Sequence, residues 1–489
     1  MSTTFCTLTN GLVVDVTYIP RVSYAVFRRS LIGAVAAGAR VVCLCVVPVA
    51  DTRRLLVVLA RDHAGKLDLV WTDVGATYPS LTNECPQVHL FEREIYEQWD
   101  ILPQGHPWLK PVRFSSGHVG VMDFFRVAGP EIHEVAVGPV HAGVIEPGHF
   151  RFQCHGETVT HLEISLGYQH RGVECRIISG PINGRIHLME TLAGDTTIGH
   201  AGAYSRLVEA ISHTPVSARA QAIRAVAAEL ERLANHIGDL GALAGDVGFL
   251  PTQSYCGRIR GDVLNLTAEL CGNRFGRGLV RPGGVGFDLD ETRVSRLNLG
   301  LGRVEKDVTS AVELMFNSPS VLARLEGVGI VTPQQAVEIG LVGVAARACG
   351  LEQDVRRDLP YGLYAMAQMP VSVCTAGDAH ARAMVRWLEA KRSMRFIQDQ
   401  LASLPAGPVM RAMTPCAGDR LSVSLVEGWR GEICHVALTD AQGELAAYKV
   451  VDPSFHNWSG LALSLRHQQI SDFPLCNKSF NLSYCGHDL

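Results

Sequence analysis

The sequence contains 14 cysteines, yet no two of them are separated by two other residues. The lack of any Cys-x-x-Cys pair excludes zinc ribbons, thioredoxin-like redox sites and ferredoxin-type iron–sulfur binding. Many of the cysteines stand in apolar or Ala/Gly-rich stretches, which predicts buried, unreactive thiols.

The chain is also poor in charge. Charged residues make up 19% of the 489 residues, and the net charge is -4. This balance gives no sign of nucleic-acid binding or of direct binding to an anionic membrane. A hydrophobic content of 47% excludes a disordered chain. The first residues lack a basic segment followed by an apolar one, so we expect no signal peptide and a reduced cytoplasmic setting.

One stretch, residues 31–50, is almost wholly apolar but is not an uninterrupted apolar run. Two glycines, Arg40 and Pro48 break it. Residues 41–47 are mainly β-branched and typical of a strand. The stretch therefore predicts a helical half followed by a strand, and not a membrane span of about 20 apolar residues.

The length and the patterning predict an α+β chain in two main parts. Residues 1–115 are predicted to form a small α/β domain. Residues 116–134 are predicted to be a linker, and residues 135–489 a mainly helical core with flanking β segments. At about 100–200 residues per domain, the length predicts two to four domains.

One long helix is predicted by apolar residues recurring at i, i+3, i+4 and i+7. They are Ile223, Val226, Ala227, Leu230, Leu233, Ala234, Ile237 and Leu240. Thr214 and Pro215 predict its start, because a threonine hydroxyl can cap free N–H groups and proline suits the first helical position. Further helices are predicted over residues 253–272, 287–315 and 376–402. Short strands and turns are predicted from residue 408 onward.

Two histidines and a carboxylate stand close together in the stretch GPVHAGVIEPGHF, residues 138–150. Glycine and proline favour turns there, which bring His141, Glu146 and His149 near one another. Such a group could bind a ligand or transfer a proton. The same spacing suits a hairpin whose histidines hydrogen-bond to backbone groups.

A second cluster places His170, Arg171 and Glu174 within five residues. These side chains suit proton transfer and contact with an anion, but a surface salt bridge has the same spacing. A third stretch, RPGGV at residues 281–285, is a rigid turn that presents an arginine.

Taken in order, these stretches resemble the large subunit of group 4 nickel–iron hydrogenases of the formate hydrogenlyase type. They equally resemble the homologous 49-kDa subunit of respiratory complex I. The matching stretches are GPVHAGVIEPGHFRF (138–152), LGYQHRGVE (166–174), RAQAIRAVAAELERLANHIGDLG (219–241), RPGGV (281–285), VEGWRGE (426–432) and DPSFHNW (452–458). Upstream, ERE (92–94) and GHPWL (105–109) are similar to the 30-kDa subunit of complex I.

In the hydrogenases of this family, four cysteines in two Cys-x-x-Cys pairs hold nickel and iron. The first pair would follow Asp195, where this chain has no cysteine, and the second would lie among the last residues, where only Cys485 is present. We therefore predict no metal ligand in this chain and no nickel–iron centre of its own.

The complex I subunits place a histidine and a tyrosine at the quinone head group. His141 matches that histidine, whereas the tyrosine position falls at or near Gly199. Tyr204 and His200 are the candidate replacements, and quinone is a candidate ligand. The resemblance thus implies a cavity holding His141, Glu174 and His200, with these three as catalytic residues.

The resemblance also gives roles to the second cluster. Glu174 matches the glutamate that relays protons in hydrogenase relatives. Arg171, with His170 beside it, matches the arginine that faces the iron–sulfur cluster of a neighbouring small subunit. The implied partners are that small subunit and membrane antiporter-like subunits, which would hold the chain on the inner face of the cell membrane.

The function implied is that of a large subunit in a membrane-associated hydrogenase-like or complex I-like oxidoreductase complex. Its activity would be electron transfer coupled to proton movement. Two alternatives are a non-catalytic scaffold or coupling subunit of such a complex and a quinone-reducing subunit of the NADH dehydrogenase type.

Overall fold

The structure, a computed structural model, describes residues 4–49, 52–115, 118–143 and 145–489. Strand-rich regions flank a helical middle, which confirms the predicted α+β class. Residues 116 and 117 of the predicted linker, and Val144 in the histidine-containing turn, lie outside the described residues.

The N-terminal region is built on an antiparallel four-stranded sheet with the strand order β1-β5-β4-β3. Its elements are β1 (Cys6–Leu8), β2 (Val13–Asp15), α1 (Tyr24–Ala36), β3 (Arg40–Val49), β4 (Thr52–Arg61), β5 (Lys66–Asp73), β6 (Thr77–Pro79), α2 (His89–Trp99) and β7 (Leu102–Gln104). Since α1 ends at Ala36 and β3 begins at Arg40, the predicted change from helix to strand is confirmed. Within the described ranges, no helix combines the length and the apolar character needed to cross a bilayer.

A second, three-stranded antiparallel sheet follows, in the order β10-β9-β8. It consists of β8 (Ile132–Val137), β9 (His149–His155) and β10 (Thr158–Ser165). The start of β8 overlaps the end of the predicted linker, residues 116–134. Just upstream, the ring of Phe124 packs edge-on against His149, with centroids 5.2 Å apart. The Arg151 guanidinium lies 4.3 Å from the centroid of the Phe124 ring. This part of the predicted linker is thus packed onto the sheet.

The helical middle surrounds the long helix α6. Its elements are α3 (Val173–Ser179), α4 (Ile182–Glu190), α5 (Thr197–Ile211), α6 (Ala218–Asp246), α7 (Leu250–Cys271), β11 (Val280–Arg281), β12 (Gly284–Val285), α8 (Glu291–Phe316), α9 (Pro319–Leu325), α10 (Pro333–Ile339), α11 (Gly343–Ala348), α12 (Val355–Asp358) and α13 (Ala379–Ala402). Helices α7, α8 and α13 confirm the three further predicted helices, and all eight apolar residues predicted on α6 are buried.

The predicted start of α6 at Thr214 and Pro215 is wrong. Ser217 is the N-cap, because its hydroxyl accepts a hydrogen bond from the Ala220 amide at 3.1 Å. The Thr214 hydroxyl instead hydrogen-bonds to the hydroxyls of Ser212 and Thr414, at 3.0 and 3.1 Å. Thr214 therefore makes a tertiary contact and does not cap the helix.

The last region contains β13 (Arg420–Glu427), β14 (Glu432–Thr439), β15 (Leu445–Val451), α14 (Pro453–Ser464), α15 (Phe473–Phe480) and α16 (Tyr484–Asp488). Its antiparallel sheet has the order β15-β14-β13-β2, so a strand of the N-terminal region completes it. The strands were predicted from residue 408, but the helices after them were not. Asp452 accepts a hydrogen bond from the Ser454 amide and Pro453 follows it, which starts α14.

Candidate functional site

A cavity of about 340 Å³ lies between the N-terminal region and the last sheet, and Glu174 is part of its wall. We call it the Glu174 cavity. Most of its wall is apolar. Its polar residues are Glu94, Glu97, Gln98, Ser115, His170, Glu174, Cys175, Tyr448 and Lys449.

Glu174 stands in the first turn of α3, where the free N–H groups of the helix favour a carboxylate. Its Oε1 accepts hydrogen bonds from the Lys449 ammonium at 2.8 Å and from the Val450 amide at 2.9 Å. Lys449 also donates to Glu94, which pairs with Arg113. Burial opposes the charge of Lys449, but Glu174 and Glu94 raise its pKa above the usual value. Glu174 thus ends a buried chain of ion pairs.

Behind the cavity wall, four buried side chains form a continuous hydrogen-bonded row. Tyr448 Oη lies 2.7 Å from His435 Nδ1, His435 Nε2 lies 3.1 Å from His200 Nδ1, and His200 Nε2 lies 3.0 Å from Asp452 Oδ2. These four side chains, which we call the imidazole row, are at most 5% exposed. The row leads from Tyr448 at the Glu174 cavity to Asp452 at the start of α14.

Local structure explains how the row is aligned. His435 on β14 pairs with Val450 on β15, and Tyr448 lies two residues along the same face. Cross-strand diagonal neighbours of this kind are within reach of aromatic side chains. Helix α5 packs on β13 and β14, which brings His200 against His435.

The Asp452 end of the row is a hydrogen-bond acceptor. Burial opposes the charge of Asp452, but His200 and Arg430 hold its pKa below the usual value, so it is an acceptor. Among the described residues, the Tyr448 hydroxyl has His435 Nδ1 as its hydrogen-bond partner. Burial and His200 hold the pKa of His435 well below its usual value, so the ring is neutral, with one nitrogen that donates and one that accepts. The tautomer in which His200 donates to Asp452 and His435 carries its hydrogen on Nε2 would align every donor toward Asp452.

The Asp452 end of the row lies beside helix α16. A Cβ atom on Gly486 would be 2.7 Å from the Asp452 carboxyl carbon, so only glycine allows this approach. Near the same end of the row, the Arg430 guanidinium binds both carboxylate oxygens of Asp195, at 2.7 and 2.8 Å. Burial opposes the charge of Asp195, but Arg430 lowers its pKa.

His170 and Arg171, the predicted cluster-facing pair, also contact the last residues. His170 Nδ1 donates to the Asp488 carbonyl at 2.7 Å, and the Arg171 amide donates to the Leu489 carbonyl at 2.7 Å. The Arg171 guanidinium donates to the carbonyls of Leu192, at 2.7 Å, and Cys485, at 3.4 Å. Both residues therefore fix α16 in place, and Arg171 remains exposed.

His141 lies apart from the Glu174 cavity and the imidazole row. Its Nε2 donates to the Gly148 carbonyl at 2.9 Å, and His149 Nδ1 lies 3.3 Å from the Gly138 carbonyl. The histidines thus hydrogen-bond to backbone groups, as in the hairpin interpretation. The turn nevertheless reaches α16, because a Cβ on Gly148 would be 2.5 Å from the ring of Tyr484.

Gly199 lines a different and much smaller cavity, of about 40 Å³, which residues of α5 and α6 border. The amides of Ile198 and Gly199 donate to the Glu231 carboxyl at 2.7 and 3.2 Å. Burial raises the pKa of Glu231 to about 8 despite these bonds. Tyr204 is buried in the helical core, and its ring centroid is 6.2 Å from that of Tyr448.

The structure therefore connects some of the sequence-predicted residues and separates others. Glu174 and His170 share one cavity, and His200 reaches it through His435 and Tyr448. Neither His141 nor His200 is part of its wall. Sequence reasoning missed His435 and Tyr448, whose only signal was a polar side chain on each of two apolar strands. Asp452 stood within a matched stretch but had no assigned role.

The residues near Asp195 do not fit a nickel–iron centre. Cys485 provides the one thiol of the two predicted ligand segments. Burial and Glu146 raise the pKa of this thiol to about 12, so it is not a thiolate at neutral pH. Asp195 is already bound by Arg430 on both oxygens. This donor set lacks the thiolates that the resemblance requires.

Comparison with known proteins gives consistent similarities. The sequence profile of the family described as the 49-kDa subunit of respiratory-chain NADH dehydrogenase matches residues 246–422. The carbon monoxide-induced hydrogenase of Rhodospirillum rubrum is 30% identical over 350 residues, which are 71% of this chain and 97% of that protein.

Two further relatives cover much of the chain. Formate hydrogenlyase subunit 5 of Escherichia coli is 28% identical over 442 residues, or 84% of this chain and 77% of the relative. A subunit of the NADH-quinone oxidoreductase of Clostridium beijerinckii is 30% identical over 340 residues, or 69% of this chain and 91% of the relative.

Proposed function

As a member of the family of the 49-kDa NADH dehydrogenase subunit and the related hydrogenase large subunits, the chain is the large subunit of an oxidoreductase complex, and we propose that it couples electron transfer to proton movement. The observation that carries the proposal is the imidazole row, a continuous hydrogen-bonded path from the Glu174 cavity to Asp452.

In this proposal, a proton enters the row at the Glu174 cavity. The Tyr448 hydroxyl receives it there and passes its own proton to His435 Nδ1. His435 then gives its Nε2 proton to His200 Nδ1, and the Nε2 proton of His200 moves to Asp452. Neutral imidazoles suit these steps because each ring has one nitrogen that accepts and one that donates.

The coupling to electrons would be electrostatic. A negative charge arriving on a neighbouring subunit beside α16 favours the protonated form of a nearby carboxyl. Asp452 is the carboxyl at that end of the row, next to Gly486. Proton arrival at Asp452 would therefore follow electron arrival across the interface.

The interface we propose is the face formed by His170, Arg171 and α16. Arg171 is exposed there, while its backbone contacts keep it in place. The partner would be a small subunit that holds an iron–sulfur cluster. Membrane antiporter-like subunits would complete the complex and hold this chain at the inner face of the membrane. Quinone is the acceptor we propose, and His141 would be its contact.

The first test is Glu174→Gln in the assembled complex. The amide cannot carry the charge that holds Lys449, nor exchange a proton with Tyr448. We expect electron transfer to decylubiquinone to fall by about a hundredfold or more, while the subunits still co-purify. The exposed Glu157→Gln is the matched control and should leave the rate unchanged.

Unchanged turnover in Glu174→Gln would favour the alternative that the chain is a non-catalytic scaffold. His141→Ala tests the quinone contact separately, through a rise in KM for decylubiquinone. Elemental analysis of the complex tests the absence of a nickel–iron centre, since stoichiometric nickel in this chain would contradict it.

A further inference from the structure

A second large cavity, of about 320 Å³, lies on another face of the N-terminal region. It is enclosed by helix α2, strand β10 and helix α14. Its volume is within the range of small-molecule sites, roughly 300–1,000 Å³. It contains no residue of the imidazole row and is separate from the Glu174 cavity.

Three polar side chains in the wall of this cavity have atoms without a hydrogen-bond partner. These atoms are His161 Nε2, Ser165 Oγ and Trp458 Nε1, each without a partner in the described ranges. Ser165 and Trp458 are both only 3% exposed. A buried polar atom without a partner is unfavourable, so three beside one cavity favour a ligand that supplies the missing bonds.

The wall also holds two arginines without a carboxylate partner. Arg93 donates through Nε and Nη2 to the carbonyls of Lys110 and Pro111, which leaves Nη1 for a ligand. Arg466 is exposed at the rim. Among the described residues, neither arginine forms a salt bridge. The wall's own carboxylate, Glu163, is already held by Lys110 at 2.6 Å.

We propose that this cavity binds an amphipathic organic anion, with a carboxylate or phosphate head group on an apolar body. The head group would take the free donors of Arg93, Arg466 and Trp458. The body would lie against the buried leucines of the wall, among them Leu162. The site would be independent of proton transfer in the imidazole row.

Calorimetric titration of the purified full chain tests this site with four probes. Decanoate and decyl phosphate carry both a charge and an apolar chain, whereas decanol lacks the charge and inorganic phosphate lacks the chain. We expect one equivalent of decanoate or decyl phosphate to bind, and the better of the two identifies the head group. Decanol and inorganic phosphate should bind at least about tenfold more weakly.

Two variants locate the binding. Arg466→Gln removes a rim charge and should weaken binding of the better probe about tenfold. The exposed Arg303→Gln on α8 is its control. Trp458→Phe keeps the ring that packs on Tyr484 but removes the N–H donor, and it should also weaken binding, whereas Trp387→Phe should not.

The proposal is overturned if neither charged probe binds, or if decanol or inorganic phosphate binds as tightly. Equal affinities in Arg466→Gln and Arg303→Gln would also overturn it. Because Arg466 makes no side-chain hydrogen bond among the described residues, its replacement should not disturb folding, and the thermal transition of each variant checks this.

Discussion

Two of the buried polar systems among the described residues differ in the groups they contain. The first is the imidazole row. The second, the arginine network, joins three arginines to four carboxylates, three in the helical middle of the chain and one at the end of β13. Its members are Arg232, Arg347, Arg356, Glu229, Asp354, Glu389 and Glu427.

The difference separates a structural role from a proton-transfer role. Arginine stays charged in proteins and is only a donor, so the network can hold helices together but cannot pass a proton along. A histidine both accepts and donates, so the row can. Burial raises the pKa of Glu427 to about 7, as expected where four carboxylates face three arginines. Burial alone therefore does not reveal function.

Breaking the arginine network should have the largest effect on stability. Arg347 is fully buried and donates to both Glu389 and Glu427. Arg347→Met leaves two buried carboxylates without this partner, so we expect the free energy of unfolding to fall by about 3–5 kcal/mol. Urea unfolding measures it. Arg395→Gln, which breaks an exposed pair with Asp399, should cost less than about 1 kcal/mol. Equal losses would show that burial does not distinguish these pairs.

A second prediction concerns pH. Burial raises the pKa of Glu231 to about 8 from its usual value of 4.5, so between these values the folded chain holds a proton that the unfolded chain has lost. The free energy of unfolding should therefore fall as pH rises through this window and level off above it. Glu231→Gln should remove a few kcal/mol of this fall.

Unfolding in urea from about pH 5 to about pH 9 measures the slope. Glu313→Gln, at an exposed site on α8, is the matched control. A Glu231→Gln variant with the slope of the unmodified chain would contradict the raised pKa.

Substitutions in the imidazole row should lower turnover with little loss of stability. This is the opposite of what we expect for the arginine network. Tyr448→Phe keeps the ring and removes only the hydroxyl that hydrogen-bonds to His435. We expect stability to change by about 1 kcal/mol and turnover to fall about ten- to a hundredfold. A variant as unstable as Arg347→Met, with normal turnover, would contradict the distinction between the two systems.

The smallest effect is expected at the outer edge of the Glu174 cavity. The Gln98 amide lies 3.4 Å from Glu174 Oε2, a long contact beside the much closer Lys449. Gln98→Ala should change turnover less than about twofold. A loss as large as that of Glu174→Gln would mean that proton entry depends on Gln98.

Sequence alone predicted the elements whose pattern is local. The β-branched run of β3 and the helical period of the apolar residues in α6 are both local signals, so both elements were predicted. The start of α6 was not predicted correctly, because Thr214 hydrogen-bonds to Thr414, 200 residues away. The imidazole row could not be predicted from the sequence for the same reason, since His200 and Asp452 meet only through tertiary packing. His141 and Glu174 could be predicted as candidate site residues, but their separation in the fold could not be predicted.

The most direct test of the central claim is the turnover of the assembled complex carrying His435→Gln, measured in H2O and in D2O. The amide preserves hydrogen bonding to Tyr448 or His200 but cannot give up one proton while accepting another. We predict that turnover falls about a hundredfold and that the solvent isotope effect grows, while subunit assembly is unchanged. Unmodified turnover in this variant would contradict proton movement along the imidazole row.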